Sequence, residues 1–125
     1  MSEDILPCHT GPHHNGQCRC RAVRLTASGP PSLVANCHCK SCRKATGAAF
    51  ATFADYDRAR VQIDGPVSAY QSSPGIERLF CGVCGSPVAY SEANAQEINI
   101  HIGVFGDAHL FKPTKDCNQE NQLWR

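Results

Sequence analysis

The apolar residues of this chain fall in short alternating runs, the periodicity of half-buried strands rather than of helices. Residues 97–104 (EINIHIGV) alternate most strictly and predict one strand with Ile98, Ile100, Ile102 and Val104 on its core face. Residues 21–26 (RAVRLT) set Val23 and Leu25 on a common face, and 61–63, 67–71, 78–80 and 88–91 read as further short strands. Turn signals separate these runs: Gly29-Pro30-Pro31, Asp64-Gly65-Pro66, Ser73-Pro74-Gly75 and Gly85-Ser86-Pro87. Only residues 40–46 read as helix, about a turn and a half ended by Gly47. The pattern predicts one mainly β domain of small sheets over 14–125, with a flexible N-terminal arm over 1–13. His9, His13 and His14 belong to that Pro- and Gly-rich stretch.

Composition sharpens the picture. Leu, Ile, Val and Phe together supply only 24 of 125 residues, a thin core that needs staples, and nine cysteines are available to make them. No stretch approaches the roughly 18 to 20 apolar residues needed to span a bilayer, and residues 1–17 lack the apolar region of a secretory signal. A net charge of +1 gives no field for whole-surface nucleic-acid binding. Neither a membrane-spanning nor a secreted chain is expected, and a cytoplasmic location is. In that reducing compartment nine cysteines imply metal or catalysis rather than disulfides.

The spacing supports metal. Cys18 and Cys20 form C-x-C, Cys37, Cys39 and Cys42 form C-x-C-x-x-C, and Cys81 and Cys84 form C-x-x-C. Cysteines two or three apart rarely reach disulfide geometry, whereas a tetrahedral zinc takes such local pairs from distant parts of a chain. The outer pairs sum to four and complete a closed structural site. The central three lie within one short stretch and have no local fourth, which is the pattern of a catalytic zinc with an open position. A fourth ligand from Cys8, Cys117, His101 or Asp116 would instead make both sites structural. His38, between Cys37 and Cys39, points to the opposite face. The usual four-cysteine spacings of iron–sulfur clusters are absent. Cys8 and Cys117 are left as free thiols.

Three segments together carry a resemblance. Gly16-x-Cys18-x-Cys20, Cys37-His38-Cys39-x-x-Cys42-Arg43-Lys44-x-x-Gly47 and Arg78-x-Phe80-Cys81-x-x-Cys84-Gly85-Ser86-Pro87 resemble the glutathione-dependent formaldehyde-activating family, which includes centromere protein V. The resemblance covers about residues 14–107, with a weaker tail to Trp124. It implies a β-tent fold with two zinc ions per chain: a structural one on Cys18, Cys20, Cys81 and Cys84, and a catalytic one on Cys37, Cys39 and Cys42. It also implies a carbon–sulfur lyase acting on a glutathione or similar thiol adduct of an aldehyde, as in S-hydroxymethylglutathione synthesis. The competing reading is a non-catalytic zinc module for a protein or nucleic-acid partner. Two departures stand out: Arg21 follows the first C-x-C where glycine is common, and the stretch Asp116-Cys117-Asn118-Gln119 is unusual.

Charge then becomes informative. Deprotonating seven cysteines and adding two dications turns the formal +1 into −2. Against that background Lys40, Arg43 and Lys44 beside the central cysteines are candidates to grip the carboxylates of an anionic thiol, or form a solvated basic face. Ser41 and backbone amides are candidate donors to the sulfurs. Arg78 is expected to bond a cysteine sulfur or bind substrate, and His101, opposite the isoleucine stripe, to be a surface histidine or a proton donor facing a cleft. Trp124 is expected to cap the core or cover the pocket.

Overall fold

The computed structural model describes residues 12–124. Ten strands and one short α-helix occur among them: β1 (His13–Gln17), β2 (Arg24–Ser28), β3 (Leu33–Cys37), α1 (Lys40–Thr46), β4 (Ala51–Asp57), β5 (Val61–Asp64), β6 (Val67–Ser73), β7 (Ile76–Cys81), β8 (Pro87–Glu92), β9 (Glu97–His101) and β10 (Lys115–Cys117). This is the mainly β fold expected, with the helix over the predicted residues. The strands form a three-stranded sheet, β1-β2-β5, and a seven-stranded sheet, β10-β3-β4-β9-β8-β7-β6. Every pairing is antiparallel except β10 on β3, which is parallel and sets Cys117 beside Cys37. No helix among the described residues is long and apolar enough to cross a membrane.

The main core lies where the two sheets face each other. Leu25 and Ala27 of the smaller sheet, with Val23 just before it, pack with Ala54, Tyr56, Val88, Ile98 and Ile100 of the larger. Ile100 is fully buried, and burial of such a side chain contributes roughly 1.5–3 kcal/mol. Tyr56 is buried as well, and its hydroxyl donates to the carbonyl of Gly29 at 2.8 Å, so no polar atom is stranded. Cys18 and Cys81 belong to this core. A smaller cluster holds Cys42, Ala51 and Phe53, with Cys37, Cys39 and Tyr90 packed against it. Each group of cysteines therefore has its own apolar bed.

Several sequence expectations are corrected. The strand over 97–104 ends at His101, and Ile102–Val104 turns as a 3-10 helix. The turn brings the chain against β1: Gly16 bridges Phe105, and a Cβ on Gly16 would lie 2.8 Å from the Val104 carbonyl oxygen. That close approach explains the glycine before the first cysteine pair. Val104 stays buried, while Ile102 is only partly so. His14 is not in a mobile arm. It is buried on β1, with Nδ1 2.7 Å from Asp107 Oδ2 and its ring edge-on to Phe105 and Phe111. His9 and Cys8 lie outside the described residues.

Candidate functional site

The four outer cysteines converge although sixty-one residues separate Cys20 from Cys81. All four sulfurs lie within 4.8 Å of one another, with Cys18 and Cys81 buried and Cys20 and Cys84 exposed. Two tight turns aim backbone amides at them. Val23 N–H donates to Cys18 Sγ at 3.2 Å, and Val83 and Cys84 N–H donate to Cys81 Sγ at 3.3 and 3.4 Å. Amides pointed at sulfur stabilise thiolate, the form that ligates metal. Ser86 bonds Cys84 Sγ at 3.1 Å and receives the Arg19 amide at 3.0 Å, which ties the two turns together. Hydrogen bonds from the Ser86 side chain and then its backbone hold the Cys84 thiol down at about 5. Arg21 stands at φ 72° in the first turn, its amide bonded to the Cys18 carbonyl. The left-handed conformation explains why glycine suits this position, and arginine there carries backbone strain.

The central cysteines come from the end of β3 and the start of α1. Cys39 is the helix N-cap, extended at φ −65° and ψ 155°, and its sulfur accepts the Cys42 amide at 3.2 Å. Gly47 closes the helix at φ 73° with its amide on the Arg43 carbonyl. Cys37, Cys39 and Cys42 place their sulfurs within 4.8 Å of one another. Hydrogen bonding from Cys42 pulls the Cys37 thiol down to about 5, with Asn118 adding to the effect, while Cys37 and burial push Cys42 up.

Side chains from distant elements reach these sulfurs. Arg78 on β7 is 5% exposed, and its Nη2 donates to Cys42 Sγ at 3.7 Å and Ser41 Oγ at 2.9 Å. The Tyr90 ring lies 5.2 Å from its guanidinium carbon, a cation–π contact. Asn118 Nδ2 donates to Cys37 Sγ at 3.4 Å. On the far side His38 Nε2 meets Asp116 Oδ1 at 2.9 Å, which lowers the Asp116 carboxyl. His38 is thus directed away from the sulfurs, as its position between two cysteines implies. Cys117, Asp116 and His101 do not join the three-sulfur group, and Cys117 is a free thiol.

A groove of about 840 Å³ runs past Cys18, Ser86, Pro87, His101, Phe50 and Ala51. Ala51 is the register partner of Cys37, so one wall of the groove pairs with the strand that carries the first central cysteine. His101 stands where this groove meets a smaller cavity of about 240 Å³ that also touches Arg78. Its ring packs on Phe53 at 4.5 Å, and burial followed by the charge of Arg78 lowers it to about 4. A neutral imidazole in this position is a hydrogen-bond donor and a poor base.

Of the residues singled out beside the central cysteines, Lys40, Ser41, Lys44 and Arg78 line one cleft of about 420 Å³. Arg43 turns the other way, with Nη1 donating to the carbonyls of Asn121 at 2.8 Å and His38 at 3.4 Å. Trp124 is 70% exposed and walls a small cavity with His38 and Phe50. Asn118, Tyr90 and Ser86 were not singled out as functional in the sequence. Ser86 stood in the turn motif after Cys84, and Asn118 in the stretch noted as unusual.

Residues 13–121 match the sequence profile described as glutathione-dependent formaldehyde-activating enzyme. The chain belongs to that family. Within the family's reach lies an uncharacterized lyase of Schizosaccharomyces pombe, 29% identical over 112 residues that cover 90% of this chain and 78% of the relative. A crystal structure of a Rhodobacter sphaeroides protein superimposes with a TM-score of 0.65, at 19% identity, over 82% of this chain and 98% of that one. That likeness establishes the fold. Family membership agrees with the two cysteine groups, whose free thiols, sulfur spacing and inward-pointing amides fit metal binding.

Proposed function

We propose that this chain is a zinc-dependent carbon–sulfur lyase that joins a thiol to a small aldehyde and releases it again, glutathione and formaldehyde being the pair its family name indicates. The S. pombe relative's name, a lyase, supports the reading. The observation that carries it is the contrast between four converged sulfurs in one cluster and three in the other. Cys18, Cys20, Cys81 and Cys84 would hold a structural zinc, and Cys37, Cys39 and Cys42 a catalytic one. A zinc at the three-cysteine site would supply a bound thiol with a depressed pKa, so that it is present as thiolate at neutral pH.

The chain's own groups supply the rest. The Cys42 amide and the side chains of Arg78 and Asn118 hydrogen-bond the cysteine sulfurs and spread their negative charge. The balance of the reaction is simple: the thiol sulfur bonds to the carbonyl carbon, the thiol proton departs, and the carbonyl oxygen ends protonated as a hydroxyl. In reverse the carbon–sulfur bond breaks as the hydroxyl loses its proton. His101, neutral and beside the groove, donates a hydrogen bond to the oxygen as its charge develops.

The test combines metal count and exchange. Elemental mass spectrometry on freshly purified protein should give two zincs per chain, and exchange of ¹³C-formaldehyde with glutathione should run faster than the uncatalysed rate. Cys39→Ser should stay folded with one zinc and lose the acceleration. An unfolded Cys39→Ser chain would make the central cluster structural and favour a non-catalytic module.

A further inference from the structure

We propose that the cleft between α1 and the β6–β7 hairpin is a carboxylate-binding site for the acidic end of the substrate, with Arg78 and Ser72 as recognising groups and Lys40 and Lys44 as a charged mouth. The word substrate rests on the lyase reading; the site itself rests on the cleft.

The first observation is Arg78. It is almost fully buried, and Nη2 alone is occupied, by Ser41 and Cys42. Its Nε and Nη1 are buried and have no hydrogen-bond partner among the described residues. A guanidinium is always charged and offers donors only, so these nitrogens call for an acceptor. The second observation is Ser72, whose Oγ is likewise buried without a partner and which lines the same cleft. Two side chains that line one cavity from adjoining strands thus each carry unused hydrogen-bonding atoms just beneath its wall, within reach of a ligand once a side chain shifts.

The surroundings choose the sign of the ligand. Lys40 and Lys44, four residues apart on one face of α1, stand exposed at the rim. No aspartate or glutamate lines this cleft or its inner neighbour among the described residues. The two compartments share Ala45, Tyr70 and Arg78, and the inner one is walled by Leu79 and Phe80 and reaches His101. A ligand lying across them would have an anionic end at Arg78 and the lysines, and an uncharged end toward His101. The outer compartment, about 420 Å³, has room for a carboxylate-bearing branch of a small peptide. A planar carboxylate suits a guanidinium in geometry as well as charge.

Binding to the zinc-loaded full chain tests this without turnover. Isothermal titration would compare S-methylglutathione, which has no free thiol to react, with its dimethyl ester, in wild type and in Ser72→Ala and Lys44→Gln, each checked for fold by circular dichroism. The acid should bind about tenfold more tightly than the ester, as expected for charge-assisted hydrogen bonds. That preference should shrink to about threefold or less in each variant, with the ester unaffected. Equal affinities in wild type, an unchanged preference in both variants, or no binding of either compound would overturn the site. Tighter binding of inorganic phosphate than of S-methylglutathione would also overturn it, in favour of a free oxyanion. Acid-selective binding without any lyase turnover would remove the lyase reading and leave the site. Turnover of acid and ester thiols with equal kcat/KM would do the reverse.

Discussion

The two cysteine clusters reach similar sulfur spacing by different means. The four-sulfur cluster sits on the main core and is served from within its own two turns: amides of Val23, Val83 and Cys84 point at Cys18 and Cys81, and the neighbouring Ser86 hydroxyl bonds Cys84. The three-sulfur cluster sits on a small satellite core and draws side chains from elsewhere, Arg78 from β7 and Asn118 from beyond β10. Backbone donors come with the turn and survive most substitutions. Side-chain donors can be changed one at a time, so they can tune sulfur basicity without rebuilding the fold. The first arrangement suits a staple and the second a reactive centre.

The largest effect should come from breaking the staple. Cys81→Ser removes a fully buried thiol of the four-sulfur cluster from the main core. A structural zinc contributes folding energy outright, so this variant should lose stability comparable with a whole domain's, about 5–15 kcal/mol, and be unfolded by circular dichroism at 37 °C. Exhaustive chelation of wild type should have the same outcome, whereas Cys39→Ser should melt cooperatively. A folded Cys81→Ser chain would erase the distinction between the clusters.

Next comes acid. His101 is held neutral, down to about 4 from an ordinary 6.5. Between those values the unfolded chain binds a proton that the folded one refuses, so stability is full above about 6.5 and falls as pH drops toward 4. The loss should reach about 3 kcal/mol by denaturant titration. His101→Gln should flatten that part of the profile, and NMR should show a neutral imidazole at pH 6. A charged ring at that pH would refute the assignment.

Asn118→Ala should weaken metal binding at the central cluster about tenfold and leave the other cluster unchanged, read by competition with a chromogenic chelator. Equal weakening of both would show that the C-terminal stretch supports the whole fold rather than one site. The smallest effect belongs to Arg21, a side chain in the left-handed region. Arg21→Gly should relieve strain and raise stability by about 1 kcal/mol in thermal melts, with no change at the central cluster.

What the sequence disclosed follows the same division. The cysteine groups were legible because one is assembled from two local pairs and the other from one local triplet, spacings that suit metal binding. The helix was legible because Gly47 marks its end. β3 and β4 escaped notice: Asn36, Thr52 and Asp55 interrupt their alternation, and they are tolerated because Thr52 bonds Asn36 and Asp55 accepts from Asn99 across the sheet. β1 was hidden in a segment rich in His, Pro and Gly, where the ladder to β2 and the contact of His14 with Asp107 hold a strand that no alternation announces. Asn118 was out of reach for a similar reason. Its role depends on β10 lying parallel to β3, a pairing between residues some eighty positions apart that no local pattern announces.

That parallel strand has a consequence for assembly during synthesis. A chain made from its N-terminus holds every thiol of the four-sulfur cluster once Cys84 has emerged, but the groups that brace the three-sulfur cluster, Asp116, Asn118 and the Asn121 carbonyl clasped by Arg43, arrive last. The four-sulfur cluster can close on a partial chain, while the three central thiols receive their full support only when translation is nearly done. Vectorial synthesis would then leave the three-sulfur end of the molecule immature until the rest is folded around it.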